Sequence, residues 1–206
     1  MSKINIAVFA STKGTDLQAI INEIKASRLS EADLKFVLSD KKDCYALKRA
    51  KEQGFRTIYI NPKEKTREEF DQECLKYLEE HNIDLVLLIG YMRIISNDLV
   101  NQYKNKIMNI HPSLLPAFAG GMDKNVHQEV LDCGVKVSGC TLHFVDEGAD
   151  TGPIILQNAV SITEEETTDS LKEKVQTEEK KLFIKVIKLF ANNKIKVKGR
   201  KVKIYE

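Results

Sequence analysis

The sequence predicts an α/β protein with a doubly wound, mostly parallel sheet and antiparallel strands in its C-terminal part. Three observations support this prediction. Short apolar segments alternate with helical segments through the first half of the chain, a pattern typical of parallel βαβ units. Two longer strand-like segments follow, separated by an acidic loop. The chain then closes in a strict alternation of basic and apolar residues, which predicts a hairpin.

The first half supplies five strands and four helices. The first and fourth strands are apolar at nearly every position, as expected for strands covered on both faces. The helical segments carry apolar residues three to four positions apart, and Gly54 and Asn82 are suited to end two of them. The predicted strands span 4–10, 34–40, 56–61, 84–90 and 106–110, and the helices lie within 16–27, 44–54, 65–82 and 96–103.

The second half predicts fewer and longer elements. Strands are expected over 136–146 and 152–162, and a long helix over about 168–192. The segment 194–206 predicts a hairpin around a Lys198-Gly199-Arg200 turn. No linker, repeat or low-complexity segment divides the chain, so we expect a single domain, 1–206.

Composition places the chain among ordinary globular proteins, with 42% hydrophobic and 30% charged residues. The formal net charge is only +2 and the lysines are spread along the chain, whereas a nucleic-acid binder gathers its basic residues on one face. The basic residues of 194–203 alternate with apolar ones and fit the solvated face of a hairpin. We therefore expect no nucleic-acid partner.

The N-terminal segment and the cysteines indicate the cellular setting. Residues 1–11 hold a short apolar run and then a strand-to-loop break, which fits neither a signal peptide nor a membrane span. Cys44, Cys74, Cys133 and Cys140 show neither CxxC spacing nor a histidine at metal-ligand spacing. We expect reduced thiols, no metal, no membrane partner and a cytoplasmic location.

Three loops with reactive or polar side chains follow predicted strands of the first half. They are ASTKGTD (10–16), GYMRI (90–94) and NIHPSLLP (109–116). In doubly wound sheets, ligands bind beyond the carboxyl ends of the strands, so these loops are expected to meet in one crevice. The third loop holds His111, which Pro112 restricts to extended conformations, and Asn109 two residues earlier. An amide beside an imidazole suits a reaction in which a carbonyl oxygen gains charge, although a lone loop histidine is more often a surface residue.

An acidic loop between the two long strands offers a partner for this histidine. It carries Asp146, Glu147 and Asp150 among glycines, a pattern that also fits a solvated turn. A carboxylate near His111 would fix its tautomer and favour its protonated form. Spacing alone leaves open which of the three carboxylates lies there.

Three further positions are candidates for ligand binding. The first loop leads into a helix beginning near Asp16, whose free amides favour an anion, while Asp16 itself is a good N-cap. Arg67 opens the third helix, where the sequence leaves open a phosphate contact or a solvated arginine. Glu179 lies on the apolar stripe of the long helix and needs a partner, either a lysine or arginine of the sheet or the amine of a ligand.

Four segments together resemble the folate-dependent glycinamide ribonucleotide formyltransferase family. They are GYMRIIS (90–96), NIHPSLLPAF (109–118), GVKVSGCTLHFVDEGADTGPIILQ (134–157) and VQTEE (175–179), and the resemblance runs from residue 4 to about residue 183. It implies a Rossmann-like formyltransferase fold. It also implies transfer of the formyl group of 10-formyltetrahydrofolate, a co-substrate, to the amine of glycinamide ribonucleotide in de novo purine biosynthesis. We expect these small-molecule substrates, no metal, and a monomer or homodimer.

The resemblance assigns roles to individual residues. Catalysis falls to Asn109, His111 and Asp150, with His143 behind them. The substrate is expected at Gly14, Thr15, Asp16, Gln176 and Glu179, with its phosphate at the 14–16 turn. The folate is expected against Met92, Arg93, Ile94, Ile95, Asn109, Asp146 and Glu147, with Arg67 at the edge of the site. Residues 1–106 then form a nucleotide-binding-like half, 107–192 a folate-binding and catalytic half, and 193–206 the hairpin.

Three departures from the family pattern bear on substrate binding. Thr12 replaces a glycine, Asp16 replaces an asparagine and so sets a negative charge near the phosphate, and Ala119 replaces a proline. A formyltetrahydrofolate deformylase, in which water attacks, is the main alternative, although such enzymes usually carry an additional N-terminal domain. A transfer-RNA formyltransferase would need a larger basic C-terminal domain. A folate- or nucleotide-binding protein with impaired catalysis is the third alternative, suggested by Asp16.

Overall fold

A seven-stranded sheet forms the centre of the computed structural model, which describes residues 3–120 and 126–205. Its strands are β1 (Ile4–Phe9), β2 (Ala32–Ser39), β3 (Thr57–Tyr59), β4 (Leu85–Leu88), β5 (Ile107–His111), β6 (Val137–Phe144) and β7 (Ile154–Ser161). They lie in the order β3-β2-β1-β4-β5-β6-β7. The first five are parallel, whereas β6 is antiparallel to β5 and β7. The predicted fold class is confirmed.

Helices cover both faces of this sheet. They are α1 (Thr15–Lys25), α2 (Tyr45–Glu52), α3 (Arg67–Glu80), α4 (Asn97–Gln102), α5 (Val126–Asp132) and α6 (Thr168–Ala191). Side chains of α1, α2, α5 and α6 share one hydrophobic core, and those of α3 and α4 share the other. Strand β1 contributes side chains to both cores. Ile6 and Val8 belong to the first core, and Ala7 and Phe9 belong to the second.

The C-terminal hairpin forms a separate two-stranded sheet. Its strands are β8 (Ile195–Lys198) and β9 (Lys201–Ile204), and Lys198 pairs with Lys201 across the turn. The predicted hairpin is therefore confirmed, and its partly buried valines pack against the core on the α6 side. In the two described ranges, no helix is both long and apolar enough to cross a membrane.

The observed helix ends match the ends predicted from the sequence at two positions and differ from the prediction at one. Gly54 and Asn82 follow α2 and α3 with φ of 84° and 47°, as expected for residues that end helices. The expectation that Asp16 is the N-cap of α1 is wrong. Gly14 is the N-cap, with φ of 64°, and Asp16 lies in the first turn with its side chain buried.

One helix was not predicted, and residues 121–125, which follow the loop that holds His111, lie outside the described residues. Helix α5 has only seven residues, and its apolar side chains Val126 and Val130 give too short a pattern to stand out. The NIHPSLLP loop (109–116) is described in full, and the segment after it is described as far as Gly120. Strand β2 begins two residues before the predicted 34–40, and β3 is shorter than the predicted 56–61.

Candidate active site

The pairing of β5 with β6 brings the first polar side chains of the site together. Asn109 lies directly opposite His143, and His111 lies opposite Thr141. Residues that face each other across an antiparallel pair have neighbouring side chains on the same face of the sheet. Accordingly, Asn109 Nδ2 lies 3.2 Å from His143 Nε2. The carboxyl end of β5 thus presents an amide with a histidine behind it.

Asp150 joins these side chains into one cluster. Its Oδ2 lies 3.1 Å from His111 Nδ1 and accepts a hydrogen bond from the Gly120 amide at 3.1 Å. Its Oδ1 accepts a hydrogen bond from Asn109 Nδ2 at 3.4 Å and lies 3.5 Å from His143 Nε2. Asp150 has φ of 56°, in the left-handed region that non-glycine residues rarely adopt. Backbone conformations of this kind often occur at functional sites.

Both ring nitrogens of His111 face hydrogen-bond acceptors. Nδ1 faces the Asp150 carboxylate, and Nε2 lies 2.9 Å from the carbonyl oxygen of Phe118. A carbonyl oxygen can only accept, so both contacts are satisfied together when both nitrogens carry hydrogen. The surroundings of His111 therefore suit an imidazolium, which is the form required of a proton donor.

The tautomer of His143 is set in the same way. Its Nδ1 lies 2.8 Å from the carbonyl oxygen of Phe144 and must donate to it. In the neutral ring, Nε2 is then free to accept a hydrogen bond from the Asn109 amide. His143 therefore fixes the orientation of Asn109, with the amide nitrogen toward His143 and Asp150.

Asp150 is held in its ionised form. Burial alone opposes ionisation, but the hydrogen bond and the charge of His111, together with the hydrogen bond from the Gly120 amide, outweigh burial and hold the pKa of Asp150 well below its usual range. A permanent negative charge therefore sits beside His111.

A first cavity opens on one side of this cluster. It is lined by Asn109, His143 and Asp150 together with residues of the 90–96 and 145–150 loops. Of the positions expected to bind folate, Arg93, Ile94, Ile95, Asn109, Asp146 and Glu147 line it. Arg67 and Met92 do not, and lie instead on an adjoining open depression that also includes Arg93 and Ile94.

Contacts within the protein hold the 90–96 loop in place. The Met92 amide donates to Ser11 Oγ at 3.1 Å, and the Ser96 amide donates to Asp71 Oδ2 at 2.5 Å. The Arg93 guanidinium stacks on the Phe70 ring at 4.1 Å from its centre. Burial raises the pKa of Asp71, while hydrogen bonds from Ser96 and the charge of Arg93 oppose this shift. The loop that borders the first cavity is thus tied to the loop after β1 and to α3.

A second cavity lies on the other side of the same strand ends. It is lined by Gly90 and Ile110 and by residues from the 12–16 turn, α5 and α6. All five positions expected to bind the substrate line it, namely Gly14, Thr15, Asp16, Gln176 and Glu179. Only a glycine fits at the turn, because φ of Gly14 is positive and an added Cβ would lie 2.8 Å from Ala46 Cβ.

Carboxyl and imidazole groups are buried in this second cavity. Burial, and after it the charge of Asp16, raise the pKa of Glu179 to about 8. Burial likewise raises the pKa of Asp16 to about 6, against the opposing charge of Lys180. Burial lowers the pKa of His127 to about 4, and the charge of Lys172 adds to this effect. His127 is therefore neutral near pH 7.

Sequence reasoning missed two side chains of the second cavity, His127 and Lys172. Lys172 lies four residues before Gln176 and seven before Glu179, so helical spacing alone places it on the same face of α6. His127 lies on α5, which was not predicted. The expected lysine or arginine partner of Glu179 from the sheet is absent from the described ranges, where the nearby charges are Asp16, Lys172 and Lys180. Those ranges also contain no group of histidine, cysteine and acidic side chains arranged to hold a metal ion.

The comparison with protein families gives a match to one family, described as formyl transferase, over residues 4–187. A phosphoribosylglycinamide formyltransferase of Bacillus subtilis is 38% identical over 183 residues, which are 88% of this chain and 92% of that protein. A trifunctional purine biosynthetic protein of Gallus gallus is 40% identical over 197 residues, 95% of this chain. The chain spans only about a fifth of the length of such trifunctional relatives, 19% in this case.

Solved structures with the same fold include transferases and a hydrolase. A glycinamide ribonucleotide transformylase from Symbiobacterium toebii superposes with a TM-score of 0.93 at 39% identity, covering 99% of this chain and 95% of that one. A formyltetrahydrofolate deformylase from Pseudomonas syringae superposes with a TM-score of 0.87 at 25% identity, covering 100% of this chain and 67% of that one. The transferases are thus the more similar in sequence.

Proposed function

This chain belongs to the formyl transferase family, and from that premise we propose that it transfers the formyl group of 10-formyltetrahydrofolate to the amine of glycinamide ribonucleotide, a step of de novo purine biosynthesis. One observation carries the proposal. An ionised Asp150 binds both His111 and Asn109 at the end of β5, with a cavity on either side of that strand end. Two substrates that meet at one reacting carbon require such an arrangement.

The reaction exchanges one carbon–nitrogen bond for another. The substrate amine attacks the formyl carbon, and the formyl oxygen gains negative charge in the tetrahedral intermediate. The amine loses a proton, the bond from the formyl carbon to the folate nitrogen breaks, and that nitrogen gains a proton. His111 and Asn109 act on the oxyanion, and a well-placed donor is worth on the order of 3 kcal/mol in comparable sites.

His111 acts as oxyanion donor and then as general acid. Asp150 holds its Nδ1 side, which leaves Nε2–H as the only group of the ring that can reach the reacting atoms. Since Nε2–H donates to the Phe118 carbonyl oxygen, this hydrogen bond must break for His111 to act on substrate. The 118–120 segment, whose Gly120 amide binds Asp150, therefore has to shift during the catalytic cycle.

Asn109 contributes the second donor. Its amide nitrogen interacts with His143 at 3.2 Å and with Asp150 at 3.4 Å, and the longer bond is the weaker. The hydrogen directed at Asp150 is therefore the one available to the formyl oxygen as charge develops there. His143 retains the other hydrogen and keeps the amide oriented.

The two cavities divide the substrates between them. We assign the folate to the first cavity, where Ile94, Ile95 and the backbone of the 145–150 loop offer an apolar slot with polar edges. Arg67 and Met92 would meet its outer part. We assign the ribonucleotide to the second cavity, with its phosphate at the amides of the 14–16 turn and its remaining groups near Gln176 and Glu179.

The second cavity favours a transferase over a deformylase. A deformylase needs a site for the folate alone, because water is its second reactant. This chain has a second cavity beside the proposed catalytic residues, and that cavity includes an anion-binding turn. The relatives of similar length that are named as transferases point the same way. Formyl transfer needs no water-activating group, because the neutral substrate amine is itself the nucleophile.

The proposal includes the setting of the reaction. We place the chain in the cytoplasm, as a monomer or homodimer. We expect no nucleic-acid or membrane partner, because its net charge is small and its lysines are spread along the chain. Within one domain, residues 1–106 supply the phosphate turn, 107–192 the catalytic cluster and most folate contacts, and 193–206 the hairpin.

An isotope experiment tests the proposal. The protein is mixed with glycinamide ribonucleotide and a folate donor whose formyl carbon is ¹³C, and products are read by mass spectrometry. We expect the label in formylglycinamide ribonucleotide, and that product should form at least a hundredfold more slowly with His111→Ala. Label recovered only as formate would identify a hydrolase and contradict the proposal.

A further inference from the structure

Two acidic side chains from different helices are buried in the second cavity. Asp16 lies in the first turn of α1 and is 5% exposed, and Glu179 lies in the middle of α6 and is 6% exposed. Helices α1 and α6 pack against each other, which brings both side chains to the same wall beside the 12–16 turn. Burying two carboxylates is costly unless cations or hydrogen bonds compensate them.

Neither side chain takes part in a hydrogen bond or a close ion pair in the part of the chain that the structure describes, although the charge of Lys180 acts on both. Asp16 Oδ1 is fully buried and has no hydrogen-bond partner there. No hydrogen bond or ion pair within 4.0 Å joins Glu179 to a lysine or arginine of those ranges. The titratable groups that face the pair are Lys13 from the turn, His127 from α5, Cys140 from β6, and Lys172 and Lys180 from α6.

The pKa values of Asp16 and Glu179 indicate that the pair holds one proton near neutral pH. Burial raises the pKa of both groups, to about 6 for Asp16 and about 8 for Glu179, and the charge of Asp16 is the second cause at Glu179. Two neighbouring buried carboxyls do not both ionise near neutral pH, and their protons leave in two separate steps. Between these steps the pair carries one proton and one negative charge.

We propose that Asp16 and Glu179 share one proton at neutral pH, and that this proton permits a phosphate to bind at the adjoining 14–16 turn. The inference rests on the proposed function, because it takes the phosphate of the ribonucleotide as the ligand of that turn. It explains how an aspartate can stand where the resembled family has asparagine. With one proton, the pair has the charge that an asparagine beside an ionised Glu179 would have.

The sign of the pH effect follows from the two steps. Above pH 8 the shared proton is lost, the pair carries two negative charges, and a phosphate dianion is repelled from the turn. A phosphate monoester is mostly dianionic from pH 7 upward, so its own titration contributes little in that range. The fraction of the pair that holds the proton falls from about nine-tenths at pH 7 to about one-tenth at pH 9 for a pKa of about 8, so affinity falls about tenfold.

The shared proton can be measured without any ligand. The side-chain carboxyl carbon of Glu179 is followed by ¹³C NMR against pH in the wild type and in Asp16→Asn. We expect a midpoint near pH 8 in the wild type and a clearly lower midpoint in Asp16→Asn, where the neighbouring charge is removed. A wild-type midpoint below about pH 5 would overturn the shared proton.

The coupling to phosphate is measured by calorimetric titration with ribose 5-phosphate and with glycinamide ribonucleotide at pH 7 and pH 9. Wild-type affinity should fall about tenfold between these values. Asp16→Asn and Glu179→Gln, which each remove one carboxyl from the pair, should change by less than about threefold. Glu173→Gln is the matched control, since it removes an exposed carboxyl from α6 and should keep the wild-type response.

The two measurements distinguish an error in the proposed coupling from an error in the proposed phosphate site. If wild type and Asp16→Asn lose affinity equally between pH 7 and pH 9, the coupling is wrong although the phosphate site stands. If neither protein binds either ligand at any pH, the phosphate site of the proposed function is wrong and the coupling with it. The NMR titration would still decide whether Asp16 and Glu179 share a proton.

Discussion

Replacing Asp150 by asparagine removes one charge from the centre of the site while keeping the shape of the side chain. The carboxylate accepts hydrogen bonds from His111 Nδ1 and the Gly120 amide, both at 3.1 Å. Breaking a buried ion pair costs about 3–5 kcal/mol. Because Asp150 is only partly buried, we take the lower value, about 3 kcal/mol, for the stabilisation that its charge gives to protonated His111. At about 1.4 kcal/mol per decade, this corresponds to a loss of about a hundredfold in kcat.

The assay is steady-state formyl transfer with both substrates at saturation. Asp150→Asn should lower kcat about a hundredfold and change either KM by less than about threefold, because the aspartate acts on His111 in the transition state. Asp33→Asn is the matched control, since Asp33 lies on the protein surface beside Lys35, and its kcat should stay within twofold of wild type. A loss smaller than tenfold in Asp150→Asn would refute the role given to this carboxylate.

The same substitution has a predicted effect on stability. The pKa of Asp150 is lowered in the folded protein, so the stabilising contribution of its charge is present above the ordinary aspartate pKa of about 4 and is lost as pH falls below it. Urea unfolding should therefore show the wild type more stable than Asp150→Asn at pH 7, with the difference shrinking below pH 4. An unchanged difference at low pH would mean that the carboxylate does not stabilise the fold through its charge.

Three further substitutions test other parts of the account. His111→Ala should lower kcat by at least a hundredfold, and a loss of less than tenfold would make its role as acid untenable. Gly14→Ala should raise the KM for glycinamide ribonucleotide with little change in kcat, because a Cβ at φ of 64° would distort the turn against Ala46. Thr141→Val should speed hydrogen exchange at the Leu115 amide, which now donates to Thr141 Oγ1 at 3.0 Å; unchanged exchange would show that this bond does not hold the loop.

The sheet was predictable because its strands carry a strong local signal. The segments at 4–10 and 84–90 are apolar throughout, and βαβ alternation then leaves few topologies. The conformation of the loop that holds His111 was also predictable, since Pro112 restricts His111 to extended conformations and β5 indeed runs through His111. What periodicity alone left open was the choice among Asp146, Glu147 and Asp150.

The wrong and missing predictions concern features that depend on tertiary structure. Asp16 has the side chain of an N-cap, but burial against α6 places it in the first helical turn and gives the cap to Gly14. Helix α5 is too short for periodicity to reveal, so His127 could not be assigned to the second cavity. Which side chains border one cavity depends on how α1, α5 and α6 pack, and no local pattern encodes that packing.

The most direct test of the central claim follows the folate donor itself. The purified protein is mixed with 10-formyltetrahydrofolate, with and without glycinamide ribonucleotide, and the release of tetrahydrofolate and of formate is measured. If the protein is a formyltransferase, tetrahydrofolate is released only when the ribonucleotide is present, and no free formate appears. Tetrahydrofolate and formate appearing together without the ribonucleotide would contradict it and identify a deformylase.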